Sequence, residues 1–219
     1  GADHVLGRRS PNHVYSAVGT PNLRLLPRNY SLSDDVGFRF SQRSWNGWPL
    51  TAPKYADWLA GNDGDSLHLF LDYETFGEHQ WAETGIFEFI AHWPGECLRR
   101  GLRFTRPSGL ARRTPVAPLG FARPTSWADQ ERDLSAWLGN RLQDSAHDRL
   151  YRLGRVLKTR GEASLLERWR RLTTSDHVYY MCTKWFADGD VHKYFSPFDS
   201  PHDAFITFMN ALDDAARCL

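Results

Sequence analysis

The stretch Ser66–Trp81, SLHLFLDYETFGEHQW, decides how the whole sequence is interpreted. Its first part, Ser66–Leu71, is short and largely apolar, interrupted by His68, and this pattern predicts a buried β-strand. Three carboxylates and one imidazole follow within eight positions, at Asp72, Glu74, Glu78 and His79. Acidic side chains directly after a buried strand are typical of an active-site loop at the C-terminal edge of a parallel sheet. A solvated acidic loop is the alternative, but the aromatic residues between the acids favour a functional loop.

The patterns around this stretch predict an α/β chain whose C-terminal part is helical. Before it, we expect short strands over 13–18 and 22–26, a helix capped by Ser33, and a helix over 51–61. After it, we expect a helix over 84–101 broken at Pro94, a strand over 102–105 and an irregular loop over 106–123. Helical spacing then runs from 129 through Leu157, and further helices are predicted over 162–172, 175–184 and 201–218.

Two regions are predicted, 1–124 with the acidic stretch and 125–219 with most of the helices. The three or four strands expected in the first region do not close a barrel. The chain also starts with Gly1 rather than Met. We therefore expect the parent protein to contain further sequence upstream.

Composition narrows the function classes. The net charge is +1, from 27 basic and 26 acidic residues, so bulk charge indicates no nucleic-acid partner. No apolar run approaches the roughly 20 residues of a membrane span, and no membrane partner is expected. The three cysteines are widely spaced and odd in number, which favours a reducing compartment and a cytoplasmic location.

The acidic stretch suits the cleavage of a glycosidic bond, which needs two carboxyl groups. One of them protonates the leaving oxygen and must stay protonated in an apolar or like-charged setting. Asp72 fits this role, because three apolar residues precede it and Glu74 lies two positions on. Two roles stay open for Glu74: favouring the protonated form of Asp72 by repulsion, or binding a sugar hydroxyl.

A second candidate stretch is Ser175–Trp185, SDHVYYMCTKW, where Asp176 and His177 begin a short helix. A His beside an Asp at a helix start can bind a sugar hydroxyl or orient a carboxylate. A capping Asp and a packed His are the alternative, which spacing alone slightly favours. His192 and Tyr194, in the following loop, leave the same two possibilities.

Other chemistries have weaker support. The histidines and cysteines are not paired as CxxC or HxxxH, so no zinc site is expected. Neither the GxSxG motif of a nucleophile elbow nor the GxxxxGK motif of a phosphate loop occurs. The arginines over 99–123 are better explained as a solvated loop than as a nucleic-acid surface.

LDYETFGEHQW (71–81) and SDHVYYMCTKW (175–185) closely resemble two motifs of glycoside hydrolase family 57, in its α-amylase branch. The flanking sequence over 33–51, 126–140 and 192–210 is similar to the same family, so the resemblance covers nearly the whole chain. It implies an incomplete (β/α)7 barrel followed by a helical region, with 1–124 as the partial barrel. It also implies cleavage of α-glucans or maltooligosaccharides with retention of configuration and without a cofactor.

The resemblance assigns roles to individual residues. Asp72 matches the family's general acid/base, Glu74 the carboxylate two residues later, and His177 a histidine near the bound sugar. The remaining candidates for substrate binding lie in the same two motifs, and they are His79, Trp81 and Tyr179.

One departure from the family is important. The motif with the nucleophilic Glu matches nothing before Asp72, so we expect a fragment that lacks the N-terminal half of its domain. Alone, it should be inactive and prone to aggregate. Activity as a 4-α-glucanotransferase or branching enzyme, and a non-catalytic glucan-binding role, remain alternatives.

Overall fold

The computed structural model describes residues 2–126, 131–184 and 196–218. The chain is α/β and divides into two compact units, Gly1–Ala122 and Arg123–Leu219. Each unit has its own hydrophobic core and is described by itself. The assignment of 1–124 as a partial barrel with the acidic stretch and of 125–219 as a helical region stays a prediction.

The first unit contains a small sheet of three strands in the order β2-β1-β3. β1 (Tyr15–Ala17) and β2 (Thr20–Leu25) form an antiparallel hairpin, which confirms the strands predicted there. Gly19, with φ of 78°, adopts the left-handed conformation that this tight connection requires. β3 (Pro118–Leu119) pairs with β1 in parallel. This sheet is compatible with part of a barrel, and the (β/α)7 barrel stays a prediction.

The first unit also contains helices, three of which form its main core. α1 (Asp3–Leu6) precedes the hairpin, and α5 (Pro107–Leu110) lies in the predicted loop over 106–123. The main core is formed by α2 (Tyr30–Gly37), α3 (Ala52–Ala60) and α4 (Ile86–Arg99). Within it, Tyr55 is fully buried and its hydroxyl donates to the Leu32 carbonyl at 2.6 Å.

Two helix predictions in the first unit need correction. α2 begins four residues earlier than predicted, because the side chain of Asn29, not that of Ser33, accepts from the Leu32 amide. The predicted break at Pro94 is also wrong, because α4 is continuous through it. Trp93 packs on Tyr55 at 5.7 Å between ring centroids, and such core contacts offset the roughly 3 kcal/mol that an internal proline costs.

The predicted strands over 66–71 and 102–105 are absent from the first unit. In 66–71, Leu67, Leu69 and Leu71 pack against the core, His68 is buried and Phe70 is 51% exposed. What the stretch lacks is a neighbouring strand among the residues that the structure describes. Its backbone bonds instead to the start of α2 and, through the Ser66 amide, to the Asn12 carbonyl.

The second unit is a helical bundle. Its elements are α6 (Arg141–Arg160), α7 (Ala163–Leu172), α8 (Asp176–Tyr179) and α9 (Pro201–Arg217). Asn140 caps α6, because its side chain accepts from the Gln143 amide. Residues 131–140 are not helical, so the predicted helix start at residue 129 is wrong. Residues 129 and 130 of that predicted helix lie outside the described residues.

Candidate active site

The segment Asp72–Trp81, which we term the acidic loop, is ordered by its own backbone. A 3-10 turn over Tyr73–Thr75 places the Thr75 amide 3.1 Å from the Asp72 carbonyl. The chain then folds back, with the His79 amide donating to the Glu74 carbonyl at 3.0 Å. This single segment of turns therefore contains four of the predicted site residues, Asp72, Glu74, His79 and Trp81.

Two buried side chains anchor the acidic loop to the body of the first unit. Thr75 and Gln80 are each only 3% exposed. The Gln80 Nε2 donates to the Gly37 carbonyl at the end of α2, at 3.1 Å, whereas its Oε1 is buried without a partner among the described residues. Gly77, with φ of 117°, makes the reversal that brings Gln80 inward.

The side chains of chemical interest point outward from these anchors. Asp72, Glu74 and His79 are all exposed, and Trp81 is 57% exposed. The Trp81 indole N–H donates to the Glu78 carbonyl at 2.5 Å, which fixes the end of the loop. The apolar enclosure expected around Asp72 is not formed by the described residues of the first unit.

The residues just before Asp72 are held by the start of α2. The Asn29 amide donates to the His68 carbonyl at 2.8 Å, and the Ser33 hydroxyl accepts from the Phe70 amide at 3.2 Å. The Arg28 guanidinium donates through Nε to the Phe70 carbonyl at 3.0 Å. Sequence reasoning missed these three residues, because no local pattern links them to a segment some forty positions away.

Burial shifts the pKa of two titratable groups in α2 and the stretch 66–71, Asp35 and His68. His68 is 5% exposed, and burial lowers the pKa of its imidazole below the ordinary value of 6.5. Asp35, in α2, has its pKa raised by burial, and this effect outweighs the hydrogen bond and the charge of Arg39. Both shifts have the same physical origin, the loss of solvent around a charged form.

The second predicted stretch belongs to the second unit, where its side chains are packed. The His177 ring lies against Phe208 of α9, with 5.3 Å between centroids, and Tyr179 lies 5.4 Å from Trp137. Val178 between them is buried. These contacts account for both aromatic rings as packing residues, and their role in substrate binding stays a prediction. Trp185, His192 and Tyr194 lie outside the described residues.

A polar clamp from α6 fixes this second stretch. Gln143 is fully buried, and its Nε2 donates to the carbonyls of Ala136 and Val178 at 2.7 and 2.9 Å. Its Oε1 accepts from the Gly139 amide at 2.9 Å. Asn140 adds a bond from its side-chain amide to the Met181 carbonyl at 2.9 Å. The backbone of the stretch is therefore set by side chains that sequence reasoning did not single out.

A cleft of about 520 Å³ lies elsewhere in the first unit. It is lined by α1, the segment 7–12, the start of α2 and the pair Asn62 and Asp63. None of the predicted site residues lines it, so the side chains of the acidic loop do not lie within this cleft.

Neither a metal-binding cluster nor a membrane-spanning helix occurs among the described residues. Across 2–126, 131–184 and 196–218, no three His, Cys, Asp or Glu side chains are grouped so that they could hold a metal ion. Within the same ranges, no helix has both the length and the apolar character needed to cross a membrane.

Comparison with known proteins identifies the family. The family model described as "Glycosyl hydrolase family 57" matches residues 1–119, and no solved structure matches the chain. A protein of Methanocaldococcus jannaschii described as "Putative alpha-amylase" is 42% identical over 229 aligned residues, covering 98% of this chain and 48% of that protein. The chain thus spans about half the length of this curated relative. The family match includes the whole acidic loop, and the chain belongs to glycosyl hydrolase family 57.

Proposed function

We propose that the chain carries the general acid/base of a retaining α-glucan hydrolase and that this residue is Asp72. Family membership supports glycoside hydrolase chemistry, and the name of the relative supports an α-glucan as the substrate. The observation that carries the assignment is the acidic loop itself. It exposes the Asp72 carboxylate on a backbone that Thr75 and Gln80 anchor from inside.

The proposed reaction has two steps. In the first, the Asp72 carboxyl group gives its proton to the glycosidic oxygen, while a Glu carboxylate bonds to the anomeric carbon and displaces the sugar leaving group. In the second, Asp72 takes a proton from water, whose oxygen bonds to the anomeric carbon and releases the Glu. We propose that this Glu comes from sequence outside the chain and that it completes the enclosure around Asp72.

Exposed neighbours of Asp72 suit sugar binding. Glu74 and His79 present a carboxylate and an imidazole on the same loop, and Trp81 presents an apolar ring face. Such groups bind sugar hydroxyls and stack on sugar rings, respectively. We propose that these three residues contact the substrate; a role of His177 and Tyr179 in substrate binding stays a prediction from the family resemblance.

The test uses the full gene product that contains this chain, with maltooligosaccharides as substrate. Asp72→Asn should lower kcat by about 100-fold or more, because general acid and base catalysis are both lost. The matched control is Glu83→Gln, which neutralises another exposed acid in the turn that follows the acidic loop. Near-normal turnover of Asp72→Asn, or an equal loss in Glu83→Gln, would refute the assignment.

Product analysis in the same experiment separates the alternatives. Release of reducing ends from maltooligosaccharides indicates hydrolysis, whereas longer or branched products indicate transfer to an acceptor sugar. If the wild-type protein binds the glucan without forming any product, the chain has a non-catalytic role and the proposed function fails.

A further inference from the structure

The backbone just before Asp72 is held by side chains and not by a neighbouring strand. In a parallel sheet the segment leading to an active-site residue is held by ladder bonds to neighbouring strands. Here both polar groups of Phe70 are bound by side chains next to or within α2: Ser33 accepts from its amide and Arg28 donates to its carbonyl. Phe70 is two residues before Asp72, so the two Cα atoms are at most about 7 Å apart.

We propose that Arg28 is a positioning residue for Asp72, acting through the carbonyl of Phe70. This inference rests on the proposed function, because it concerns the placement of the carboxyl group that protonates the sugar oxygen. Misplacing a catalytic group by about 1 Å costs on the order of 100-fold in rate. A contact that fixes the backbone two residues away therefore has a measurable effect on turnover.

Arg28 is itself held in place by a buried acid. Its Nη2 lies 2.7 Å from the Asp34 Oδ1, and the Asp34 side chain is only 7% exposed. Asp34 belongs to α2, so the guanidinium links the helix to the segment that leads to the acidic loop. The planar fork of an arginine can bind a carboxylate and a carbonyl at the same time in a fixed geometry. A buried ion pair is weak evidence for stability, so the role assigned to this pair is to fix the geometry of the guanidinium.

A matched pair with a different target lies at the C-terminal end of the same helix, between Asp35 within it and Arg39 just beyond it. Arg39 binds Asp35, with its Nη2 2.7 Å from the Oδ1, and the two side chains are 28% and 10% exposed. Arg28 also stacks on a neighbouring aromatic ring, as Arg39 does. The remaining bond of Arg39 goes to the Ser31 carbonyl within α2, so this pair stabilises the helix without contacting Phe70.

The test compares Arg28→Lys with Arg39→Lys in the full gene product, using maltooligosaccharides. Lysine keeps the charge but lacks the fork that joins carboxylate and carbonyl. Arg28→Lys should lower kcat by about tenfold or more with KM changed less than about twofold. Arg39→Lys should keep kcat within about twofold. Equal losses in both variants, normal kcat in Arg28→Lys, or a change in KM alone would overturn the proposal.

A second pair of variants guards against misfolding. Arg28→Met combined with Asp34→Asn removes both charges, so neither is left buried without a partner, and Arg39→Met with Asp35→Asn is its match. The first double variant should lose kcat as Arg28→Lys does, and the second should not. If the first double variant folds and retains normal kcat, Arg28 is structural only.

The Asp72→Asn background separates this inference from the proposed function. If Arg28 acts through Asp72, adding Arg28→Lys to Asp72→Asn should change the residual rate less than about twofold. A further tenfold loss would show that Arg28 acts elsewhere. Normal activity of Asp72→Asn would refute the proposed function and this inference together, whereas an inactive Asp72→Asn with a normal Arg28→Lys refutes this inference alone.

Discussion

The two stretches that carry the family resemblance are built in opposite ways. In the acidic loop, the chemically interesting side chains are exposed, and buried residues such as Thr75 and Gln80 serve as anchors. In the stretch 175–184 the interesting side chains are themselves packed, with His177 against Phe208. Substitutions in the first stretch should therefore affect activity more than stability, and substitutions in the second should affect stability first.

Two buried glutamines, one supporting each stretch, allow the difference between the stretches to be measured as a change in stability. Gln143, which supports the second stretch, uses its side-chain amide in three hydrogen bonds. Gln80, in the acidic loop, makes one hydrogen bond through Nε2 and leaves Oε1 buried without a partner among the described residues. Both are at least 97% buried, so the difference between them lies in satisfied polar contacts.

The largest effect on stability is expected from Gln143→Met. Methionine nearly conserves the volume, but the Ala136 carbonyl and the Gly139 amide lose the partner that Gln143 supplies, whereas the Val178 carbonyl keeps the bond from the Met181 amide. A buried polar group left unpaired costs about 1 to 3 kcal/mol, so the free energy of unfolding should fall by about 2 kcal/mol or more. The denaturant midpoint of the full gene product measures this loss.

Gln80→Met is the matched control for Gln143→Met. It removes one hydrogen bond to Gly37 and also removes an oxygen that has no partner among the described residues. The free energy of unfolding should change by about 1 kcal/mol or less. Equal losses of unfolding free energy in Gln80→Met and Gln143→Met would show that the number of hydrogen bonds does not distinguish the two glutamines.

The smallest effect is a pH dependence that arises from His68. Its Nδ1 must carry the proton, because it lies 3.0 Å from the Pro27 carbonyl, which can only accept. Burial lowers the pKa of His68, so the unfolded chain binds a proton more readily than the folded one. The contribution of His68 is fully present above about pH 6.5 and is lost as the pH falls through that value towards the folded pKa.

Denaturant midpoints at pH 7.5 and pH 5 measure this dependence. The fall in stability between the two should be smaller in His68→Gln than in the unmodified protein, because glutamine does not titrate. An unchanged fall in His68→Gln would assign the acid sensitivity to other groups.

The sequence predicts a feature well when the residues that determine it are close together in the chain. The helix over 51–61 was predicted correctly, because Pro53 in its first turn and Gly61 at its end act within one turn of the chain. The acidic loop was also recognisable, since its carboxylates are neighbours in sequence. These signals need no knowledge of distant residues.

Two failures were local, since the helix starts missed the caps Asn29 and Asn140. The other failures concern contacts between residues far apart in sequence. The stretch 66–71 has strand composition, yet strand formation needs a partner backbone that composition does not specify. Arg28 bonds to Phe70 across 42 positions, and Gln143 bonds to Val178 across 35. An arginine in an irregular segment and a glutamine in a helix look like surface residues until the fold brings their partners to them.

The central claim, that Asp72 is the acid/base of a retaining glycosidase, is tested most directly by azide rescue of Asp72→Ala. The substrate is a 4-nitrophenyl α-maltooligosaccharide, whose leaving group needs little protonation. Azide needs no base, so it can bond to the anomeric carbon of the glycosyl-enzyme and displace the Glu where water cannot. The account predicts restored turnover and a glycosyl azide of α configuration. No rescue, or a β product, would contradict it.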